Sequence, residues 1–191
     1  LAVAILPMLR VGGMQLFRLE SSDKSEKVLP RATQIATGIT VAYGLLTALC
    51  ALVFWAGGMG GFDAINHAIS TMATGGFSTY DSSLAQFGSP FLEVACTFFM
   101  LCGGLTLTLF LRAWQGDAAA LLRDTQLRAY LGIFAAFSLA IGSWLVLAEG
   151  RELGYALRHA PFTVASVMTT TGFASADWGQ WGSLPLVPVF M

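Results

Sequence analysis

The stretches "STMATGGFST" (residues 70–79) and "SVMTTTGFAS" (residues 166–175) carry the same short polar motif, Ser-x-Met-x-Thr-x-Gly-Phe. Aligning Gly76 with Gly172 gives an offset of 96 residues. At this offset the identical pairs in and just after the motif are Ser70/Ser166, Met72/Met168, Thr74/Thr170, Gly76/Gly172, Phe77/Phe173 and Asp81/Asp177. The apolar segment 33–57 falls on residues 129–153 at the same offset, so the repeat comprises a whole structural unit and not the motif alone.

The sequence around the two motifs is apolar. Hydrophobic residues make up 55% of the chain and charged residues 11%, with a mean hydropathy of +0.69, whereas a soluble domain has about 25% charged residues. Three segments reach the length of about 20 residues that a membrane-spanning helix needs: 33–57, 91–113 and 129–148. The ends, 1–17 and 184–191, are typical of parts of further spans. We therefore expect an all-α polytopic membrane protein, with this sequence as an internal segment.

The distribution of charge predicts the orientation of these spans. Eight of the ten basic residues lie in two connectors: Arg10, Arg18, Lys24, Lys27, Arg31, Arg112, Arg123 and Arg128. The segments on the opposite side hold only Arg151 and Arg158. Because basic loops stay in the cytoplasm, we expect both motifs to enter the membrane from the outside. The predicted location is the cell (inner) membrane, crossed several times.

The predicted organisation has four parts. Residues 1–32 contain the end of an inner helix and a cytoplasmic connector, and residues 33–113 form a complete helix–pore loop–helix repeat. Residues 114–128 form a second cytoplasmic connector, and residues 129–191 form the next repeat, truncated in its inner helix. Both repeats have the same topology, which makes them a parallel repeat about an axis along the membrane normal.

Each motif follows a segment that is too short to span. Residues 62–73, "FDAINHAISTMA", predict a short amphipathic helix with Gly61 or Asp63 as its N-cap, ending near the motif glycines. The negative end of its dipole points into the membrane, and glycine permits backbone conformations that are costly for other residues. Carbonyl groups in such a stretch are suited to bind a desolvated cation. The candidate ligands of such a cation are the backbone carbonyls of Thr74, Gly75, Gly76, Phe77, Ser78, Thr170, Thr171, Gly172, Phe173 and Ala174.

A Thr-x-Gly-Phe stretch after a short helix resembles the potassium-channel filter Thr-Val-Gly-Tyr-Gly. Both copies keep only one glycine of that filter pair, and this form is similar to the Trk/Ktr/HKT superfamily of cation transporters, in particular its bacterial TrkH-like potassium-uptake branch. The resemblance extends over essentially the whole chain. It rests on residues 5–20, 62–83 and 162–181.

The resemblance implies four helix–pore loop–helix units of potassium-channel type, arranged pseudo-fourfold around one pore, of which this chain holds two complete pore loops. It implies K⁺ transport across the plasma membrane through a carbonyl-lined filter, either passive or coupled, with K⁺ as the transported ion and no cofactor. The partners it implies are membrane lipid, a second copy of the protein in a homodimer, and a cytosolic nucleotide-binding (RCK-type) regulatory subunit. A nucleic-acid partner is not expected.

Other functions remain open at this point. Within the same superfamily, the alternative is a transporter of Na⁺ or of both Na⁺ and K⁺. A membrane assembly subunit that conducts no ion is a further alternative. An intramembrane hydrolase would use Ser70 or Ser166 with His67 or His159, but no nucleophile–base pair recurs at the repeat offset, so we expect no enzymatic activity.

The remaining polar residues have ordinary explanations beside functional ones. Asp81 and Asp177 either raise the local cation concentration at the outer mouth or cap a turn. We expect His67 to be a packing residue with hydrogen bonds, and Glu93 to be stabilised by the dipole of the helix that it begins. The pair Gly103-Gly104 is expected to permit close helix packing. The cysteines, Cys50, Cys96 and Cys102, are expected to be free thiols.

Overall fold

The computed structural model describes residues 25–106, 109–110, 124–176 and 181, and within these ranges it is helical and contains no strand. The longer elements are helices α1 (Ser25–Ala56), α2 (Gly61–Met72), α3 (Pro90–Gly103), α4 (Thr125–Leu147) and α5 (Leu153–Met168), with a 3-10 helix at Ser83–Phe87 between α2 and α3. This confirms the expected all-α class. The predicted spans 1–17 and 184–191, most of both basic connectors, and Asp177 lie outside the described residues.

The chain divides into two compact units, Leu1–Leu45 and Leu46–Met191. Of the first unit the structure describes residues 25–45, which are helical throughout. The second unit contains the end of α1 and every other described element, and both motifs lie within it.

Two helices in the described ranges are long and apolar enough to cross a membrane: Ala36–Ala56 within α1, and α4. Each carries large apolar side chains that no other described residue covers, such as Leu52 on α1 and Leu139 on α4, which are 59% and 72% exposed. Extended apolar faces of this kind are rare on soluble monomers and fit contact with lipid. The helix bounds differ little from the prediction, except that α1 already begins at Ser25.

The predicted span 91–113 is not one continuous helix. Helix α3 begins with Pro90 in its first turn, where proline is well tolerated, and ends at Gly103, so it has only 14 residues. A Cβ placed on Gly103 would lie 3.1 Å from the carbonyl oxygen of Met72 at the end of α2. The glycine pair therefore permits close packing, as expected, but it also ends the helix, because glycine disfavours helix continuation.

The short helices α2 and α5 have 12 and 16 residues and are too short to span a bilayer. The N-cap of α2 is Gly60, whereas the sequence predicted Gly61 or Asp63 at that position. No side chain caps this end of the helix. Helix α5 packs against both α3 and α4, and α2 packs against α3. The core between α4 and α5 consists of Ile141, Leu145, Ala156, Ala160 and Val164, together with Trp181.

Candidate functional site

The two motifs have positive φ angles at the same two positions. Gly76 and Gly172 have positive φ angles of 68° and 82°, as expected for glycines that re-aim the chain. The threonines two residues earlier, Thr74 and Thr170, also have positive φ, at 50° and 57°. This conformation is rare for a β-branched residue, and sequence reasoning did not foresee it. Its recurrence at the repeat offset shows that the repeated sequence encodes a repeated backbone geometry.

Each loop turns back on the end of its own short helix. The backbone NH of Gly75 donates to the carbonyl of Ser70 at 2.7 Å, and the NH of Thr171 donates to the carbonyl of Ser166 at 2.9 Å. A helix end leaves its last carbonyls without helical partners, and these hydrogen bonds satisfy one of them in each copy. The loops are thereby fixed directly beyond the negative ends of the α2 and α5 dipoles.

A run of carbonyl groups in each loop accepts no hydrogen bond from any residue in the described ranges. In the first loop it comprises residues 74–77, and in the second loop residues 170–172. All residues of the two runs except Thr171 are exposed or partly exposed, so these segments are accessible to a ligand. Unpaired carbonyls on consecutive residues are the arrangement in which a backbone replaces the hydration shell of a cation.

The residues that follow Gly172 are held by other protein groups. The Ser166 hydroxyl donates to the carbonyl of Phe173 at 2.7 Å. The backbone NH of Ala85, in the 3-10 helix of the first repeat, donates to the carbonyl of Ala174 at 3.2 Å, and the NH of Ala174 donates to the Ser83 hydroxyl at 3.2 Å. The first repeat thus supports the loop of the second.

The two loops lie directly against each other. A Cβ on Gly76 would collide with the carbonyl oxygen of Thr171, whereas a Cβ on Gly172 would meet no atom of the described residues. The aromatic ring of Phe173 stacks on His67 of α2, with the ring centroids 5.9 Å apart. The structure therefore brings the two predicted filter segments into one site.

His67 is a buried packing residue with two hydrogen bonds, in agreement with the expectation. Its Nδ1 lies 2.8 Å from the carbonyl oxygen of Asp63, and its Nε2 lies 3.0 Å from the hydroxyl of Ser78. At the repeat offset the corresponding pair is Thr163 and Ala174, which make no such contact, since Thr163 Oγ1 has no partner among the described residues. The two loops are alike in backbone but differ in these supporting side chains.

A second contact occurs at equivalent positions in both copies, but between different types of side chain. The hydroxyl of Thr79 donates to Asp63 Oδ1 at 2.7 Å. The offset of 96 residues maps this pair onto His159 and Ser175, whose Nδ1 and hydroxyl are 2.9 Å apart. In both copies a side chain of the short helix therefore holds the segment that follows the motif glycine. The Tyr80 hydroxyl also donates to Asp63, and this hydrogen bond raises the pKa of Tyr80.

Glu93 has a partner that the sequence did not reveal. It is 1% exposed, and its carboxylate accepts hydrogen bonds from Nε of Arg158 and, at 2.8 Å, from Nη2 of the same side chain. The helix-dipole explanation for Glu93 is therefore incomplete. The available signal was Arg158 itself, one of only two basic residues outside the connectors. Burial lowers the pKa of the neighbouring His159, although the negative charge of Glu93 by itself would raise that pKa.

The proposed nucleophile–base pairs do not form. His67 and His159 are hydrogen bonded to Ser78 and Ser175, and neither forms a hydrogen bond with Ser70 or Ser166. Across the ranges that the structure describes, no group of His, Cys, Asp and Glu side chains has a metal-binding arrangement. The three cysteines are free and buried, as expected.

Asp81 is exposed and makes no hydrogen bond or ion pair with another described residue. Its side chain caps no turn there, so the structure adds no support for the turn-capping alternative. The role of Asp81 at an outer mouth stays a prediction, as does that of Asp177, which lies outside the described residues.

Comparison with known proteins gave concordant results. The family model described as "TrkH: Cation transport protein" matches residues 1–191. The chain is 41% identical over 191 residues to the Trk system potassium uptake protein TrkI of Halomonas elongata, covering 100% of this chain and 39% of that protein. It is 39% identical over 187 residues to the Trk system potassium uptake protein TrkH of Escherichia coli, covering 95% of this chain and 38% of that protein.

A solved structure is also similar. The crystal structure of the potassium transporter TrkH from Vibrio parahaemolyticus matches with a TM-score of 0.80 at 30% identity, covering 84% of this chain and 35% of that one. The chain thus spans about two fifths of the length of the curated relatives that it matches.

Proposed function

Since this chain belongs to the TrkH family of cation transport proteins, we propose that it supplies two adjacent segments of a potassium-selective filter in a membrane transporter. The resemblance to the Trk/Ktr/HKT superfamily is confirmed, and the family is one of transporters and not of enzymes. The proposed ligands are the backbone carbonyls of residues 74–77 and 170–172, with Ser78, Phe173 and Ala174 completing the two segments.

The observation that carries this proposal is the placement of unpaired carbonyls at equivalent positions, 74–76 and 170–172, in two loops that touch. Positive φ angles recur at Thr74 and Thr170 and at Gly76 and Gly172, and each loop begins at the negative end of a short helix. A K⁺ ion loses its hydration shell on entering a filter, and rings of carbonyl oxygens replace that shell. One loop supplies only part of such a ring, which explains why the motif is repeated.

The proposed pseudo-fourfold arrangement draws support from a surface on α2. In the second repeat Arg158 contacts Glu93, and Phe173 stacks on His67, so both face the first repeat. Their equivalents at the repeat offset are Phe62 and Phe77, which are 74% and 80% exposed. Ile65 and Ile69 lie on the same face as Phe62 and are also exposed. We propose that this strip packs against a preceding repeat in the full-length protein.

The remaining parts of the proposal concern the whole transporter. Both loops enter from the outside of the cell (inner) membrane, and Asp81 and Asp177 attract cations to the outer mouth. The basic connectors face the cytoplasm, where they are placed to contact an RCK-type regulatory subunit. The functional unit is a homodimer.

The test uses the full-length protein reconstituted in lipid vesicles, with uptake of Rb⁺ and Na⁺ measured in parallel. We expect wild-type vesicles to take up Rb⁺ in preference to Na⁺, and Gly172→Ser to reduce that preference because serine disfavours the positive φ. Gly150→Ser is the matched control, since Gly150 also has a positive φ, 62°, in open space at the end of α4.

The outcomes separate the alternatives. Equal uptake of Rb⁺ and Na⁺ by the wild type would indicate a transporter of both ions, and absence of uptake would indicate an assembly subunit. If Gly172→Ser and Gly150→Ser left the preference equally unchanged, the assignment of the filter would be wrong.

A further inference from the structure

We infer that Glu93, on helix α3 of the first repeat, is a positioning residue for the filter loop of the second repeat. The inference rests on the proposed function, because it assigns a role within the same site. Glu93 acts through Arg158 and His159 on α5, and through them on Ser175, which lies three residues beyond Gly172.

The first step is the contact between α3 and α5. Both carboxylate oxygens of Glu93 are used, Oε1 by Nη2 of Arg158 at 2.8 Å and Oε2 by Nε. A bidentate pair fixes the plane of the guanidinium as well as its distance. The Glu93 side chain is only 2% exposed, so water does not compete for it. Helix α5 is therefore held in one position along α3.

The second step leads from α5 to the loop. His159 directly follows Arg158, and its Nδ1 lies 3.8 Å from Glu93 Oε2 and 2.9 Å from the Ser175 hydroxyl. The first distance is too long for a hydrogen bond, so Glu93 acts on His159 through the position of α5, and the imidazole in turn is hydrogen bonded to Ser175. The neighbouring Ala174 is held independently by Ser83 and Ala85. The segment after Gly172 thus has one direct attachment to the first repeat, through Ser83 and Ala85, and one to α5, whose position depends on Glu93.

The third step is that neither residue of this pair has a charged equivalent in the other repeat of this chain. At the offset of 96 residues Arg158 corresponds to Phe62, and Glu93 corresponds to Val189, so the ion pair is not a general feature of the repeat. Apolar side chains would join two helices at least as well, because desolvation offsets much of the attraction in a buried pair. What a bidentate pair adds is a fixed orientation, and the element that it orients carries a filter loop.

The experiment compares Glu93→Gln with wild type in the full-length protein in lipid vesicles, with the Rb⁺/Na⁺ uptake ratio as the readout. We expect the ratio to fall about fivefold or more, the lower end of typical couplings between linked sites. Arg158→Lys keeps the charge but not the two-donor geometry, and we expect a smaller fall. The control is Glu149→Gln, which removes an exposed carboxylate beyond the end of α4. We expect the Rb⁺/Na⁺ uptake ratio of this variant to equal that of the wild type.

Each outcome decides the inference. If Glu93→Gln lowers the yield of folded protein but leaves the ratio unchanged, Glu93 has only a structural role and the inference is wrong. If Glu93→Gln yields no folded protein, Arg158→Lys is the deciding variant. A lowered Rb⁺/Na⁺ uptake ratio in that variant supports the inference, and an unchanged ratio contradicts it. Wild-type vesicles that take up no Rb⁺ would contradict the proposed function and this inference together, whereas selective wild-type uptake with an unchanged Glu93→Gln ratio contradicts the inference alone.

Discussion

Gly76 of the first loop lies against the carbonyl group of Thr171 in the second, so closely that no side chain fits between them. The residues are almost 100 positions apart in the sequence, yet each belongs to the same three-residue stretch of its motif. The contact requires two properties of Gly76 at once, a positive φ angle and the absence of a Cβ atom. Glycine alone among the amino acids has both.

This contact predicts that Gly76→Ala is more harmful than the same change at a comparable glycine. Gly88 has a φ of 55° and lies in open space, so Gly88→Ala should cost only the conformational penalty of about 1–2 kcal/mol. Gly76→Ala carries that penalty and also displaces Thr171. Thermal unfolding of the full-length protein and its Rb⁺/Na⁺ uptake ratio measure both effects. Equal effects of the two variants would contradict the contact.

The exposed strip on α2 predicts a stability difference between two apolar surfaces. Ile69 is 50% exposed in this chain and belongs to the strip proposed to contact a preceding repeat, whereas Leu139 is 72% exposed on the spanning helix α4. In the full-length protein Ile69→Ala should reduce the free energy of unfolding by about 2–5 kcal/mol, as for a buried site. Leu139→Ala, facing lipid, should change it little. Comparable losses from both variants in thermal unfolding would count against the proposed arrangement.

The unpaired hydroxyl of Thr163 predicts a stabilising substitution. Thr163 is 3% exposed in an apolar region near Ile133 and Phe137, and its Oγ1 has no partner among the residues described. Thr163→Val keeps the shape and removes a buried polar group, which should raise the free energy of unfolding by about 1–3 kcal/mol.

Thr169→Val is the matched comparison for this prediction. The Thr169 hydroxyl donates to the carbonyl of Ala165 and lies 2.7 Å from the hydroxyl of Thr171. Its removal should lower stability by about 1 kcal/mol. If thermal unfolding shifted in the same direction for both variants, the different pairing of the two hydroxyls would not explain their effects.

The hydrogen bond between Tyr80 and Asp63 predicts a pH effect. Because the neutral phenol donates to a carboxylate, the pKa of Tyr80 is raised above its usual value. The stabilisation is complete below the ordinary tyrosine pKa of about 10 and is lost as the pH rises through the folded-state value. Difference absorbance spectra between wild type and Tyr80→Phe follow this titration. Asp63→Asn should lower the pKa of Tyr80, while Asp81→Asn should leave it unchanged; identical titrations in these two variants would exclude Asp63 as the cause.

Much of the helical framework was predictable from local sequence. The spans of α1 and α4 follow from long apolar runs, and the position of α2 follows from a short amphipathic segment before a glycine-rich stretch. The end of α3 was not predictable in the same way. The apolar run continues to residue 113, and the helix ends at Gly103 where it meets the end of α2.

Most of the contacts that support the site could not be predicted from the sequence. Glu93 and Arg158 are 65 residues apart, and neither belongs to the repeated motif or has a charged equivalent at the repeat offset. The positive φ angles of Thr74 and Thr170 could not be predicted for a different reason. Threonine disfavours that conformation, so it is imposed by the turn back onto the helix end and not by the residue itself.

The sequence by itself determined that this protein is helical, apolar and internally repeated, and it identified the glycine-centred motif whose carbonyls are the proposed ligands. These properties depend on composition, periodicity and identity at a fixed offset, all of which are local or repeated along the chain. Only the tertiary structure placed Gly76 against Thr171 and joined Glu93 to Arg158. Such contacts depend on how the helices pack, and packing brings together residues whose separation along the chain carries no signal.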